Sequence, residues 1–298
     1  MSEDRFNLRP IWDAILDIYI EFSQICERYK LRYYAFAGTA LGAVRHNGFI
    51  PWDDDLDVAM PRPDYEKLVK LIHRELPSYM KFVNWRNTPE LNILAGKIQD
   101  VRADKIVAIE KKTGRVLSNG LFIDVYPIDG YPRGVRAMAL RLKQFILLQF
   151  IWRFRTLPFN KLSVKGKICW VLGGFFCAFM PKYQSKKDIM RECERMLLAT
   201  SFEASSSVGD VGYSLTIFLH PSLPKDVWGV PVWHKFEHIQ VPLPARVDAH
   251  LKNNYGDYMT LPPEGKRAPS HAFDFHFPWW LGPTQHEIKT NLDSKSEA

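Results

Sequence analysis

Residues 38–62 read GTALGAVRHNGFIPWDDDLDVAMPR, and the fold turns on how this stretch is divided. At its far end, Asp55-Leu56-Asp57-Val58-Ala59-Met60 alternates charged and apolar side chains at a period of two, the pattern of a strand with one buried face. Asp55 and Asp57 then share one face, and Leu56 and Val58 the other. Two carboxylates side by side need a cation or a proton between them. At the near end, Tyr33-Tyr34-Ala35-Phe36-Ala37 is a short aromatic run that stops at Gly38-Thr39, as a buried strand stops before a tight turn. Ala40 to Arg45 reads as a short helix.

On either side the periodicity changes to that of helices. Ile11, Ile15, Tyr19, Phe22, Ile25 and Tyr29 recur at spacings of three and four, with Pro10 tolerated in the first turn, which predicts an amphipathic helix over 10–29. After Pro61 and Pro63 a second stripe runs through Tyr65, Leu68, Leu71, Ile72 and Leu76. Strands are expected at 81–85, 92–99 and 121–126, and one further strand segment at 236–242. This order of elements predicts an α+β fold with a mixed sheet flanked by helices.

The chain is long enough for a large core, and its 46% apolar and 13% aromatic content excludes a disordered protein. Cys26, Cys169, Cys177 and Cys193 are scattered and form no C-x-x-C pair, which fits a reducing cytoplasm. Glu3 and Asp4 stand where a secretory signal would have a basic start. The net charge is +7, yet residues 130–187 hold twelve Lys or Arg and no Asp or Glu, leaving the rest of the chain at −5. Within that segment Ile168–Met180 is uncharged, but a bilayer span takes about 20 residues. Basic and aromatic residues interleaved in this way suit the surface of an anionic membrane. The competing expectation is a helical subdomain whose aromatics form its own core.

Carboxylates at i and i+2 suit Mg²⁺, or Mn²⁺ as the alternative: both prefer oxygen ligands and keep positions open for phosphate oxygens. Phosphoryl transfer leaves the protein mainly to position groups and neutralise charge. Gly38 permits close backbone approach to a phosphate, Thr39 offers a hydroxyl at a helix start, and Arg45 and His46 are candidate phosphate contacts. Asp124, an acid within the apolar run 121–126, is the expected third carboxylate, as metal ligand or as proton acceptor. Lys97 is a further candidate for phosphate, and Asp53 and Asp54 read equally as turn residues with local charge or as ligands. Pro262-Pro263 fixes a turn that presents Lys266, Arg267 and His271. Trp52, Tyr126, Tyr131, Trp279 and Trp280 are the aromatics available to cage a quaternary ammonium.

Three of these motifs in this order, Gly38 to Arg62 with Asp64-Tyr65, then Phe122 to Gly130, then Tyr255-Gly256-Asp257-Tyr258-Met259 with Pro262-Pro263 and Arg267, resemble the LicD family of bacterial phosphocholine transferases, related to the fukutin-type ribitol-phosphate transferases. The resemblance runs from about residue 10 to 275. It implies a nucleotidyltransferase-type fold, a divalent metal at Asp55 and Asp57 with Asp124 as third acid, a CDP-alcohol donor, and a glycan or lipid-linked glycan acceptor whose hydroxyl attacks while CMP leaves. The expected organisation is a catalytic core over 1–132, a basic helical insertion over 133–187, a part completing the site over 188–288, and a frayed tail over 289–298. The expected location is cytoplasmic, peripheral to the inner face of the membrane. Two rivals share these residues: a template-independent nucleotidyltransferase acting on RNA or a small molecule, and a membrane adaptor without activity. The greasy neighbours of the cations argue against a nucleic-acid partner.

Overall fold

The computed structural model describes residues 6, 8–88, 91, 93–103, 107–110, 115–131, 139–140, 143, 167–168, 170–171, 185–210, 222–269 and 271–273. Most of the basic segment 133–187, Trp279, Trp280 and the tail 289–298 lie outside them. The chain divides into two compact units, Met1–Val83 with Lys97–Val125 and Val227–Ala298, and Asn84–Gly96 with Tyr126–Asp226. Secondary structure is mixed α+β. No helix among the described residues is long and apolar enough to cross a membrane.

The first unit is built on α1 (Arg9–Arg28), whose apolar stripe buries Ile11, Ile15, Leu16, Ile18, Tyr19, Phe22 and Ile25. Each such side chain contributes roughly 1.5–3 kcal/mol when fully removed from water. The helix packs on a sheet ordered β1-β2-β7-β4-β3, formed by β1 (Tyr34–Ala35), β2 (Asp57–Pro61), β3 (Met80–Asn84), β4 (Gly96–Asp100) and β7 (Leu121–Gly130). β1 and β2 pair antiparallel, Tyr34 with Ala59 and Ala35 with Val58. The helices α2 (Ala37–His46) and α3 (Arg62–Glu75) flank β2 in sequence. A separate antiparallel sheet joins β5 (Val107–Glu110), β6 (Arg115–Asn119) and β12 (His271–Phe273).

Several boundaries differ from the expectations. The helix expected at Ala40 begins at Ala37, so Gly38 and Thr39 lie in its first turn and not in a tight turn before it. The chain reverses one residue earlier, at Ala37, which takes a left-handed φ of 46°. β2 starts at Asp57, so Asp55 sits in the approach to the strand rather than on it; alternation of side chains begins before ladder pairing does. The strand expected at 92–99 starts at Gly96. The single strand expected at 236–242 is a hairpin of β10 (Val232–Phe236) and β11 (Ile239–Leu243), turning at Glu237, whose φ of 52° suits a tight reversal. It is followed by α5 (Val247–Tyr255), a label that leaves α4 for the second unit. On α5, His250 is packed between Phe36 and Trp228, and burial lowers its pKa to about 4, which makes it a neutral core group.

In the second unit, α4 (Lys186–Leu198) is capped by Ser185, whose hydroxyl accepts from the Asp188 N–H. Its inner face packs Ile189, Met190, Cys193 and Leu197 against Trp85 and Leu94. Arg86 holds Glu194 through two nitrogens. The end of β7 pairs with β8 (Ser207–Gly209), which pairs in turn with β9 (Leu223–Pro224).

Helix α2 carries much of the site, and it runs close beneath the loop that follows it. A Cβ at Gly42 would collide with the carbonyl oxygen of Gly48 and press on the Ile50 backbone. Gly42→Ala is expected to lower stability by about 1–3 kcal/mol, read as a fall in the urea midpoint with unchanged slope. An unshifted midpoint would show that the two segments do not approach this closely.

Candidate active site

The acids of residues 53–57 are held from several sides. The Trp12 indole N–H donates to the Asp53 carbonyl at 2.8 Å, and the Asp53 N–H donates to the Ile50 carbonyl at 2.8 Å. Trp12 stacks on Phe49 with ring centroids 5.2 Å apart, and Phe49 meets Phe236 edge-on at 4.9 Å. Glu237, at the hairpin turn, accepts from the Phe49 N–H at 3.1 Å and pairs with Arg9 at 2.9 Å. Its own N–H donates to the Asn47 carbonyl at 2.8 Å. The loop between α2 and β2 is therefore pinned at both ends.

Asp57 is anchored through its backbone. Its N–H donates to the Thr39 hydroxyl at 2.8 Å, and its carbonyl accepts from Phe36 N–H at 3.0 Å. Thr39 is buried and its hydroxyl is engaged in this way. One strand further, the Asp124 N–H donates to the Leu56 carbonyl at 3.0 Å. The Asp53 carboxylate lies against Gly38, where any Cβ would strike it. Glycine at 38 thus makes room for an acid at the start of α2, where anions are favoured.

These placements gather like charges. Ligand oxygens of Asp53, Asp54 and Asp55 all lie within 4.8 Å of one another. Burial, then the neighbouring charges of Asp55, Asp124 and Asp53, raise the pKa of Asp57 well above the ordinary carboxylate value, and Lys97 opposes the rise. Asp53 is raised in the same way by burial and by Asp55 and Asp54, with a hydrogen bond to Asp55. Oδ1 of Asp57 is buried and has no hydrogen-bond partner among the described residues. Hard oxygen donors crowded together, one of them buried and unsatisfied, fit a divalent cation of the Mg²⁺ or Mn²⁺ kind. The sequence leaves Asp53 and Asp54 open between turn residues and ligands; the structure sets them with Asp55. The signal available was the unbroken run of three acids before the strand.

Lys97 and Asp124 face each other across β4 and β7, with Nζ at 2.6 and 2.8 Å from the two carboxylate oxygens. Arg45 lies within electrostatic reach of Asp53 and of Arg267. Arg45 donates from Nε to Nε2 of His46 at 2.9 Å and from Nη1 to the Tyr258 carbonyl at 2.8 Å. Arg267 donates from Nε to the Pro262 carbonyl at 2.7 Å and lies 5.7 Å from the centre of the Trp52 ring. Burial lowers the pKa of Arg45; Arg267 lowers it further, while Tyr255 and Asp53 oppose the fall. Burial and then Arg45 lower the pKa of His46, in keeping with its accepting a hydrogen bond from that guanidinium. The face of Trp52, a candidate for a quaternary ammonium, is thus turned to Arg267. His271 contributes its backbone to β12, and its side chain lies outside the described residues.

Tyr255 opens the third sequence motif. It ends α5 just before Gly256, whose φ of 65° stops the helix. Crowding around its hydroxyl, then the charges of Asp57, Asp53 and Asp55, raise its pKa, so it stays a protonated donor beside the acids.

Carboxylates of residues 53–57 and 124, gathered beside a helix start, form a candidate site for a divalent metal of the kind the nucleotidyltransferase class uses. A family model described as "LicD/FKTN/FKRP, nucleotidyltransferase domain" matches residues 30–138. The lipopolysaccharide cholinephosphotransferase LicD of Haemophilus influenzae is 31% identical over 279 residues, covering 90% of this chain and 97% of that protein. An uncharacterized protein of Rickettsia prowazekii is 39% identical over 49 residues, 16% of this chain and 18% of that protein. One of Rickettsia typhi is 44% identical over 41 residues, 14% and 13% of the two chains. The chain belongs to the LicD family.

The raised pKa values carry a sign. Asp53 and Asp57 bind protons more tightly folded than unfolded, so their contribution to stability is fullest at low pH. It is lost as pH rises from the ordinary carboxylate value through the raised one. Without divalent cations, the melting temperature is expected to fall as pH rises above the ordinary carboxylate range, and Asp57→Asn to flatten that fall. Parallel curves for wild type and variant would remove Asp57 from the repulsive group.

Proposed function

We propose that this chain transfers a phosphorylated small alcohol, phosphocholine first among the candidates, from a CDP-alcohol to a hydroxyl of a glycan or lipid-linked glycan. The observation that carries the reading is the unsatisfied buried oxygen of Asp57 among Asp53, Asp55 and Asp124, in a chain similar over nine-tenths of its length to a cholinephosphotransferase. Asp55, Asp57 and Asp124 would hold Mg²⁺ or Mn²⁺, with Asp53 beside them. The cation, when bound, neutralises the donor's diphosphate and the CMP that leaves.

The chain's own groups account for the rest. Arg45 and Arg267, both anchored on backbone carbonyls, present guanidinium charge to the diphosphate. Tyr255 donates a hydrogen bond to a phosphate oxygen. The acceptor oxygen forms a bond to the phosphorus that bears the alcohol, and the bond from that phosphorus to the CMP oxygen breaks. A carboxylate of the acid group takes the proton of the acceptor hydroxyl. Gly38, Thr39 and His46 serve as scaffold around these contacts. The basic, aromatic segment 133–187 supplies attachment to an anionic membrane, where a lipid-linked acceptor lies within reach.

Incubation with CDP-choline, CDP-ethanolamine or CDP-ribitol and candidate acceptors is expected to release CMP from at least one donor. Silence with all three would end the donor assignment, and nucleotide addition to RNA would favour the rival transferase. Asp57→Ala is expected to lower the rate at least about a hundredfold, as loss of a group that acts on transition-state charge does. Arg45→Met is expected to raise the donor KM about tenfold with a smaller change in kcat. A loss confined to kcat would move Arg45 from donor binding to the chemical step.

A further inference from the structure

Three adjacent strands carry a row of charges, Asp57 on β2, Asp124 on β7 and Lys97 on β4. The two ends of the row differ. Asp57 leaves an oxygen without a partner, whereas the Lys97 ammonium engages both oxygens of Asp124. The side chains of Lys97 and Asp124 are 6% and 9% exposed, and Lys97 is the only buried lysine among the described residues. Its Nζ also lies 3.7 Å from the centre of the Phe122 ring, two residues from Asp124 on the same face of β7. This is not the setting of a solvated lysine that swings out to a phosphate. A carboxylate and a ring face enclose it.

We propose that Lys97 is the positioning residue of Asp124: its ammonium stands in for the divalent cation in the metal-free protein, holds that carboxylate beside Asp57, and shares it with the cation once bound. This rests on the metal reading of the acid group given above. A buried carboxylate without a counter-charge is strongly disfavoured, so Asp124 needs a cation before any metal arrives. An ionised carboxylate has about four lone-pair sites, so it can retain the ammonium on one side and offer the other. Lysine suits this sharing because it is a compact charge on a flexible stem, and the face of Phe122 gives the ammonium a second contact as it yields. Two cations on one carboxylate repel. Removing the charge at 97 therefore makes the site more attractive to metal and the fold more dependent on it.

The test uses the full chain and Mn²⁺ alone. Wild type, Lys97→Met, Lys97→Gln and Lys97→Arg are titrated with Mn²⁺, following the free ion by electron paramagnetic resonance, and melted with chelator or with saturating Mn²⁺. Both neutral variants are expected to bind Mn²⁺ about tenfold more tightly than wild type and to gain more in melting temperature from it. Lys97→Arg is expected to stay within about threefold of wild type, since the charge is kept. Lys97→Gln retains a hydrogen-bond donor toward Asp124 and decides the matter should Lys97→Met not fold. Equal or weaker binding by Lys97→Gln, or the same thermal gain in every variant, would overturn the proposal. Uptake abolished by Asp57→Asn but indifferent to residue 97 would overturn this proposal alone. No uptake by wild type would overturn it together with the reading beneath it.

Discussion

The mutual repulsion of Asp53, Asp54, Asp55, Asp57 and Asp124 is the constraint to which the surrounding structure answers. Close carboxylates cannot all be ionised at ordinary pH without compensation, and the raised proton affinities of Asp53 and Asp57 are that conflict expressed chemically. The chain reduces the conflict without abolishing it. Lys97 offsets one charge, the start of α2 receives another at Gly38, and Arg45 acts on Asp53. What is left over is an excess of negative charge with one buried oxygen unsatisfied, which a divalent cation would complete.

Holding such a group together requires rigid support, and the support is mostly apolar. Trp12, Phe49 and Phe236 form a continuous stack beneath the loop that carries the acids, and Glu237 ties the same loop down through hydrogen bonds. Thr39 fixes Asp57 through its backbone, so the carboxylate is aimed by the strand and not by a contact of its own. Ala37, held at a left-handed φ immediately before Gly38, marks where the chain accepts local strain to bring the helix start against the acids.

Much of this was legible in the sequence because periodicity reports burial. The stripes of α1 and α3 and the apolar runs of β3 and β7 follow directly from the water-avoiding face each presents. Asp57 and Asp124 could be singled out because an acid in an apolar run demands a reason. What periodicity does not report is pairing. The hairpin at 232–243 looked like one strand because a positive φ at Glu237 leaves no mark in residue type. Likewise β12 escaped notice, since its partner β5 lies far earlier in the chain. Asp53 and Asp54 stay ambiguous in the sequence because turn chemistry explains acids before a strand as well as ligation does. Tyr255 carried no local signal, and only folding brings its hydroxyl to the acids.

The acids come from residues 53–57 and 124, whereas Arg267, Tyr255 and the carbonyl that holds Arg45 come from residues 255–267. The segment just before that stretch supplies Phe236, Val241, Leu243 and Leu251 to the core shared with α1. During translation, then, the ribosome delivers the acids, Arg45 and Lys97 well before Tyr255 and Arg267. A nascent chain halted near residue 230 would hold the crowded carboxylates without Tyr255, Arg267 or the full core. The full set of acids with Tyr255 and Arg267 is thus a property of the finished polypeptide.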